Sequence, residues 1–319
     1  MGYDVVALGE LLIDFTESGT SPQGNPLFEA NPGGAPCNLL AMLARLGRRC
    51  AFIGKVGHDF FGCQLRGALE DAGINADSLY TDPAAPTTMA FVHNAPNGER
   101  EFSFLRDNGA DIRLRRDELP VEMLQSARIF HYGSLSLTHA EPREATRCAA
   151  ELAQRSGALL SFDPNLRPAL WRSMDDAREQ IAWGLKCCHI LKISDDELTF
   201  VTGETDLLRG AKQLRLRYPN IRLMCVTAGA GGSHAFCGDA YAFVPAFRVD
   251  SIDTTGAGDA FGGCVLHHVL THGLNLTEQT TLQEMLTFAN AAAALVTTRK
   301  GALRAMPQLS AIESVRRQM

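Results

Sequence analysis

Long apolar runs, blocks of basic residues and paired thiols are all missing from this chain of 319 residues. No uninterrupted apolar stretch approaches the roughly 18 residues that a membrane span needs. The opening segment, Met-Gly-Tyr-Asp-Val-Val-Ala-Leu-Gly-Glu, has no basic region ahead of its short apolar run, so no secretory leader is expected and the cytoplasm is the expected compartment. Lys and Arg number 30 against 36 Asp and Glu, a net charge of −6. That charge is dispersed without like-sign blocks, so neither nucleic acid nor an anionic membrane surface is an expected partner. Nine cysteines are scattered through apolar segments with no Cys-x-x-Cys pair, which fits reduced, packed thiols better than a disulfide framework. No internal repeat, Pro-rich linker or low-complexity tract divides the chain, and its length allows one large α/β domain with a small appendage.

What is present is an alternation. Val5–Leu8, Cys50–Ile53, Ile129–Tyr132, Leu159–Phe162, Ile190–Leu191 and Leu223–Val226 read as short buried strands. Segments with helical apolar spacing follow the first five: 39–46, 60–69, 141–155, 177–185 and 197–201. Repeated strand-then-helix units predict a mostly parallel sheet covered by helices on both faces. One region breaks the pattern. Thr88–Val92 and Arg100–Phe104 alternate with period two around Asn97-Gly98, a hairpin turn signal. With residues 13–30 this hairpin reads as a small β-sheet inserted into the α/β body, a lid over a cleft, or else as an edge hairpin of the main sheet. The last third adds a β pair around Gly238-Asp239, a helix after Gly256 and an Ala-rich helix from about Thr280 to Thr297.

The chemistry is concentrated in Asp253-Thr-Thr-Gly-Ala-Gly-Asp259, which runs from an extended segment into an apolar helix. Small residues at a helix start leave backbone N–H groups bare, and the helix dipole adds partial positive charge there. Gly256, Ala257 and Gly258 thus form a candidate anion hole for a phosphoryl group. Asp259 lies in the first turn, where it is either a base for an attacking hydroxyl or merely a cap. Other phosphate loops are absent. Gly-x-Gly-x-x-Gly fails at Phe261 after Gly256 and Gly258, and at His234 after Gly229 and Gly231. The Gly54-Lys55 pair is followed by Val56, so there is no Walker loop. His268 and His272 have the spacing of metal ligands but lack the HExxH pattern and read as paired surface histidines.

These letters resemble the pfkB, or ribokinase-like, carbohydrate kinases, and within them the fructokinases, from Val5 to about Pro307. Two separated signatures carry the resemblance. The first is Gly33-Gly34-Ala35-Pro36-Cys37-Asn38 with Ala44-Arg-Leu-Gly47 and Phe52-Ile-Gly-Lys-Val-Gly57. The second is Asp253 to Gly263. The resemblance implies one ribokinase-like domain over residues 1–319, a three-layer α/β/α sandwich with a small β-sheet lid from about 11–30 and 86–110.

It also implies roles. Asp259 would be the base and Gly256, Ala257 and Gly258 the anion hole. Asp14, Gly33, Gly34 and Asn38 would hold the sugar, a carboxylate and an amide suiting hydroxyls that both donate and accept. Arg106 would lie over the sugar from the lid side, with a surface salt bridge as its alternative, and Arg167 in Asp163-Pro-Asn-Leu-Arg-Pro168 would lie at the cleft edge. Thr227, Gly229, Gly231, Gly232 and Gly258 would contact ATP, and Asn290 would face the adenine. Glu197 would organise Mg2+ through water, with Ser194 where the family's motif has asparagine. Asp253, with backbone at Thr255, Val296, Arg299 and Gly301, would hold K+, or Asp253 would only cap its turn.

The activity implied is ATP-dependent phosphorylation of the primary hydroxyl of a small sugar, D-fructose first, with 2-keto-3-deoxygluconate, ribose and aminoimidazole riboside as alternatives. A homodimer through the lid is a further expectation. A silent sugar-binding protein on the same scaffold is expected to have lost Asp259 or an anion-hole glycine, and neither is lost. A dinucleotide-dependent oxidoreductase is opposed by the missing glycine fingerprint.

Overall fold

The computed structural model describes residues 2–94, 100–274, 276 and 278–317. Its strands are β1 (Val5–Leu8), β2 (Leu12–Thr20), β3 (Pro26–Gly33), β4 (Cys50–Gly57), β5 (Ile74–Asp82), β6 (Met89–Asn94), β7 (Arg100–Leu105), β8 (Ile129–Gly133), β9 (Leu159–Asp163), β10 (Ile190–Ser194), β11 (Leu223–Thr227), β12 (Ser233–Cys237) and β13 (Ala240–Val244). The helices are α1 (Ala35–Arg45), α2 (Phe60–Asp71), α3 (Val121–Gln125), α4 (Ala140–Arg155), α5 (Met174–Cys187), α6 (Asp195–Thr202), α7 (Leu207–Arg217), α8 (Ala257–His272), α9 (Gln279–Thr297) and α10 (Leu309–Arg316).

Strand β1 shows why the fold has three layers. All four of its residues are apolar and buried, and successive side chains point to opposite faces. Val5 and Ala7, with Cys50 and Phe52 of β4, pack towards α1, α2, α8, α9 and α10. Val6 and Leu8, with Ala51 and Ile53, pack towards α3 to α7. The main sheet runs β13-β12-β11-β10-β9-β8-β1-β4-β5 and is parallel except at β11–β12 and β12–β13. The predicted β pair around Gly238-Asp239 is therefore the antiparallel edge of the main sheet.

The second sheet, β3-β2-β6-β7, is separate from the first, so the region 88–104 is no edge hairpin of the main sheet. The Asn97-Gly98 turn lies outside the described residues. This sheet is anchored by aromatics: Phe15 of β2 stacks on Phe91 of β6 at 4.9 Å and meets Phe61 of α2 edge-on at 5.6 Å. Strand β5 and helix α7 were not singled out from the sequence. Both carry charged residues between their apolar ones, which weakens the periodic signal.

Helices α1 and α8 approach closely because α8 presents Gly262 and Gly263 at the contact. A Cβ on Gly263 would lie 2.9 Å from Met42 Cβ and 3.0 Å from the Leu39 carbonyl oxygen. That approach sets the distance between the first turns of the two helices.

Candidate active site

The strand order reverses at β1: the chain proceeds from β1 to β4 and β5 on one side, then returns to β8 on the other. Loops on either side of such a point diverge and leave a crevice at the carboxyl ends of the strands. A cavity of about 380 Å³ lies there. It is bounded by Glu10 after β1, Leu135 after β8, Asn165 and Arg167 after β9, Lys192 in β10, the starts of α1 and α8, and Asp14 and Phe104 of the lid. A larger hollow of about 570 Å³ is lined by α4 and α5 side chains such as Arg143, Arg147 and Trp183. The smaller cavity lies at the carboxyl ends of the parallel strands and gathers Glu10, Asp14 and Asp259 beside the start of α8, so it is the candidate site.

Gly256 caps α8 with φ 82°, a left-handed conformation that favours glycine, and a Cβ there would sit 2.8 Å from Ala302 Cβ. Within α8 the bond from Ala260 N to the Gly256 carbonyl measures 2.8 Å. The amides of Gly258 and Asp259 precede it and have no partner four residues back within the helix. Of the sequence-predicted anion hole, Gly256 and Gly258 line the cavity, while the Ala257 amide donates to the Thr254 carbonyl at 3.3 Å. Asp259 stands in that turn, and its Oδ2 accepts a 2.8 Å hydrogen bond from Asn38 Nδ2 in the first turn of α1. Burial raises the Asp259 carboxyl to about 6; the Asn38 bond, Lys192 and Arg167 oppose the rise, while Asp163 adds to it. A carboxylate with that pKa beside bare amides can accept a hydroxyl proton near neutral pH.

Across the cavity, burial raises the Asp14 carboxyl to about 7, with Asp253 and Asp259 adding to the rise and Arg167 opposing it. Gly33 is indispensable to this placement, since a Cβ on it would fall 2.2 Å from Asp14 Oδ2. Gly34 has φ 127°, and a Cβ there would meet the Glu10 carbonyl oxygen at 2.4 Å. Glu10 Oε1 accepts the amide of Ala35 at 3.0 Å and so caps α1 from β1; burial lifts its carboxyl to about 7. Asn38 has a second feature, an Oδ1 that is buried without a hydrogen-bond partner. Arg167 lines the cavity, with its Nη1 donating to the Leu166 carbonyl at 3.2 Å.

The Asp163–Arg167 turn is held from both sides. Asn165 adopts φ 43°, and its amide donates to Asp163 Oδ1 at 3.2 Å. Glu197 Oε1 accepts the Leu166 amide at 2.7 Å. Its Oε2 accepts the Ser194 amide at 2.9 Å, while Ser194 Oγ accepts the Glu197 amide at 3.1 Å, a reciprocal capping box at the start of α6. Ser194 and Glu197 are therefore tied to each other and to the cavity turn. Both Glu197 oxygens already accept backbone N–H groups, so they could reach an ion only through their remaining lone pairs, as a water-mediated contact does. Among the described residues, no group of three or more His, Cys, Asp or Glu is disposed to hold a metal.

Several sequence-predicted residues lie away from the cavity. Arg106 lies behind the cavity wall. It is 3% exposed, and Nε pairs with Asp111 Oδ2 at 2.8 Å. Nη1 donates to Thr138 Oγ1 and Nη2 to the Leu135 carbonyl, each at 3.0 Å. It supports the wall behind Leu135 instead of lining the cavity. Asn290 does not present its amide to an open site either: Nδ2 donates to the Val244 and Pro245 carbonyls at 3.1 and 3.2 Å, and Oδ1 accepts from Ser233 Oγ at 2.8 Å. It fastens α9 to the end of β13.

Thr227 pairs in register with Ser194 at the carboxyl end of β11. Gly229 and Gly231 follow in an exposed turn, and Gly232 closes it with φ 105°. These four extend the edge beside the cavity without lining it. Asp253 is buried; Oδ1 accepts the Thr255 amide at 2.8 Å and Oδ2 the Gly301 amide at 3.1 Å. The Val296 carbonyl accepts the Arg299 amide at 3.2 Å. The five residues of the expected cation site thus converge on one knot, with the Asp253 carboxylate bonded to backbone amides. The rings of His268 and His272 lie 4.4 Å apart on α8, tilted by 34° to each other.

Glu10, Asp163, Asn165 and Lys192 were not assigned as functional from the sequence. Asn165 had a readable signal, an asparagine between two prolines after a strand. The others had none, because an acidic or basic residue near a strand end is ordinary until the topology brings several together.

The description of pfkB family carbohydrate kinases matches residues 3–309. Probable fructokinase-2 of Arabidopsis thaliana is 44% identical over 305 residues, 95% of this chain and 92% of the relative. The crystal structure of a Xylella fastidiosa fructokinase with bound ATP has a TM-score of 0.90 at 33% identity, covering 99% of each chain. That of a Vibrio cholerae O395 fructokinase with fructose, ADP and calcium ion has a TM-score of 0.88 at 31% identity, covering 98% of this chain and 99% of the other.

Proposed function

Since the chain belongs to the pfkB family of carbohydrate kinases, we propose that it is an ATP-dependent fructokinase transferring the γ-phosphoryl group to the primary hydroxyl of D-fructose. The observation that carries the mechanism is the Asn38–Asp259 pair at the bare N-terminus of α8. In the proposed step the sugar O–H proton passes to the Asp259 carboxylate as the O–P bond forms. The bond from the γ-phosphorus to the bridging oxygen breaks and ADP leaves. Negative charge on the equatorial oxygens meets the start of α8 at Gly256, Ala257 and Gly258, where the amides of Gly258 and Asp259 have no helical partner, and the dipole of α8, which are fixed before the reaction begins.

Asp14 and the unpartnered Oδ1 of Asn38 would orient the sugar from opposite sides, accepting from its hydroxyls. Phe104 from the lid edge and Leu135 would exclude water that could otherwise take the phosphoryl group. ATP is read along the edge formed by Ser194, Thr227 and the Gly229–Gly232 turn. A divalent cation, Mg2+ in this reading, would offset charge on the phosphates, with Glu197 and Ser194 holding its waters. Asp253 with the Thr255, Val296, Arg299 and Gly301 backbone is the proposed seat of K+. The lid edges β3 and β7, which expose Leu27 and Leu105, are the proposed contact in a homodimer.

The test is a coupled ADP-release assay of the purified protein with fructose, ribose, 2-keto-3-deoxygluconate and aminoimidazole riboside, in potassium and in sodium buffers. Highest kcat/KM with fructose is expected. Preference for another sugar would overturn the substrate assignment, and turnover of none would overturn the kinase reading.

A further inference from the structure

One cation at the cavity has no part in the mechanism above. Lys192 lies in β10 with its Nζ 3.0 Å from Asp163 Oδ2 and 3.3 Å from Oδ1. It is largely buried, and it lines the same cavity as Asp259 and Gly258. A Cβ built on Gly258 would sit 3.0 Å from Lys192 Nζ, with no other heavy atom but Lys192 Cε within 4 Å. The ammonium therefore stands directly beside the first turn of α8, on the side that glycine leaves open. An ammonium has three N–H donors, and Asp163 occupies one side of it.

From this geometry we infer that Lys192 is a further catalytic residue, a fixed cation that meets the transferring phosphoryl group alongside the amides of Gly258 and Asp259, with Asp163 as the residue that positions it. The inference rests on the kinase reading above. Lys192 stays protonated throughout: the sugar proton goes to Asp259, and the lysine supplies charge without exchanging a proton. Burial opposes that charge, but the carboxylates of Asp163, Glu197 and Asp259 outweigh burial and hold the ammonium above the ordinary lysine range. His131, the other ring nearby, is buried, bonded to Ser161 at 3.0 Å, and kept neutral by burial with Lys192 adding to the effect.

The carboxylates also explain why a cation is needed there. Asp163, Glu197 and Asp259 all act on Lys192, and without it their combined charge would repel an arriving anion. Asp163 holds the lysine from beneath while its Oδ1 also takes the Asn165 amide, so one carboxylate fixes both the cation and the cavity turn. Gly258 completes the arrangement, since a Cβ there would press on the ammonium at 3.0 Å.

The test uses Lys192→Gln, Lys192→Ala and Asp163→Asn in the full-length enzyme, each checked for folding by circular dichroism. Loss of one preorganised charge or donor at developing negative charge costs on the order of 10²–10³-fold in kcat. Lys192→Gln is expected to lose that much kcat while the fructose KM moves less than about threefold. Added methylammonium should restore turnover of Lys192→Ala saturably. Asp163→Asn should keep a larger share of kcat than Lys192→Gln and, like it, lower kcat while the fructose KM moves less than about threefold. A folded Lys192→Gln with kcat within about threefold of the parent overturns the proposal. So does a Lys192→Ala enzyme that methylammonium does not rescue, or, should neither lysine variant fold, a folded Asp163→Asn with the kcat of the parent. If the parent enzyme turns over none of the sugars, the kinase reading has failed, a result separate from any outcome in the variants.

Discussion

Replacing Asn38 with Ala removes the side-chain amide that donates to Asp259 at 2.8 Å. The consequence is a shift in the pH dependence of turnover, and its sign follows from which form the bond favours. Asn38 donates to the ionised carboxylate, so it lowers the Asp259 pKa against the rise caused by burial. Without it the pKa climbs above its value of about 6. A hydrogen bond to a charged acceptor contributes about 1.5–3 kcal/mol, and water entering the vacated space recovers part of that. A net loss of about 1.4 kcal/mol corresponds to about one pKa unit.

Asp259 must be ionised to act as a base, so activity falls as pH drops through its pKa. The acid limb of kcat/KM, which reports the free enzyme, should therefore move from about pH 6 in the parent towards roughly pH 7 in Asn38→Ala. Coupled ADP release across pH 5 to 9 at low fructose would measure it. Asn38 also faces the sugar in the proposed mechanism, so the whole profile should drop; a uniform drop is not the prediction. An acid limb that stays in place, or moves to lower pH, would refute the assignment of Asp259 as the titrating base.

Asp259→Asn should abolish turnover while ATP binding, followed by calorimetry, stays within a few fold; near-parental turnover would remove Asp259 from the chemistry. Gly33→Ala places a methyl group where Asp14 Oδ2 now lies, 2.2 Å away, so the fructose KM should rise at least about tenfold with the ATP KM little changed, and equal changes in both would contradict the placement of Asp14 at the sugar. Arg106→Ala leaves the buried Asp111 carboxylate without its 2.8 Å ion-pair partner, which should cost about 3–5 kcal/mol in urea denaturation. A large kinetic effect with unchanged stability would return Arg106 to the sugar site.

Much of the site could be read along the chain because helix starts advertise themselves locally. Gly256-Ala-Gly258 followed by an acidic residue and an apolar run describes an exposed helix N-terminus wherever it occurs, and α8 begins there. Ser194 and Glu197, spaced three apart, form the capping box their spacing permits. Arg106 and Asn290 show what the chain alone does not tell. Both are long polar side chains whose sequence position says which element carries them, and only packing says which way they point. Arg106 found Asp111, Thr138 and Leu135; Asn290 found Ser233 and two carbonyls. A buried polar group left unsatisfied costs about 1–3 kcal/mol, so such partners take precedence over a role at the cavity surface.

The strand-then-helix alternation and the helix start at Gly256 were legible in local sequence, because periodicity, glycine and helix-start chemistry act over a few residues, whereas the separation of the 88–104 strands from the main sheet was decided by tertiary structure. The meeting of Asn38 with Asp259, 221 residues apart in the chain, was settled by tertiary structure alone. It depends on two glycines of α8 letting α1 approach, and on the sheet reversal that opens a crevice at β1. Lys192 belongs to the same class. In sequence it is one lysine in a strand, and it becomes a cation beside the anion-binding helix start only when β10, the turn after β9 and α8 are packed together.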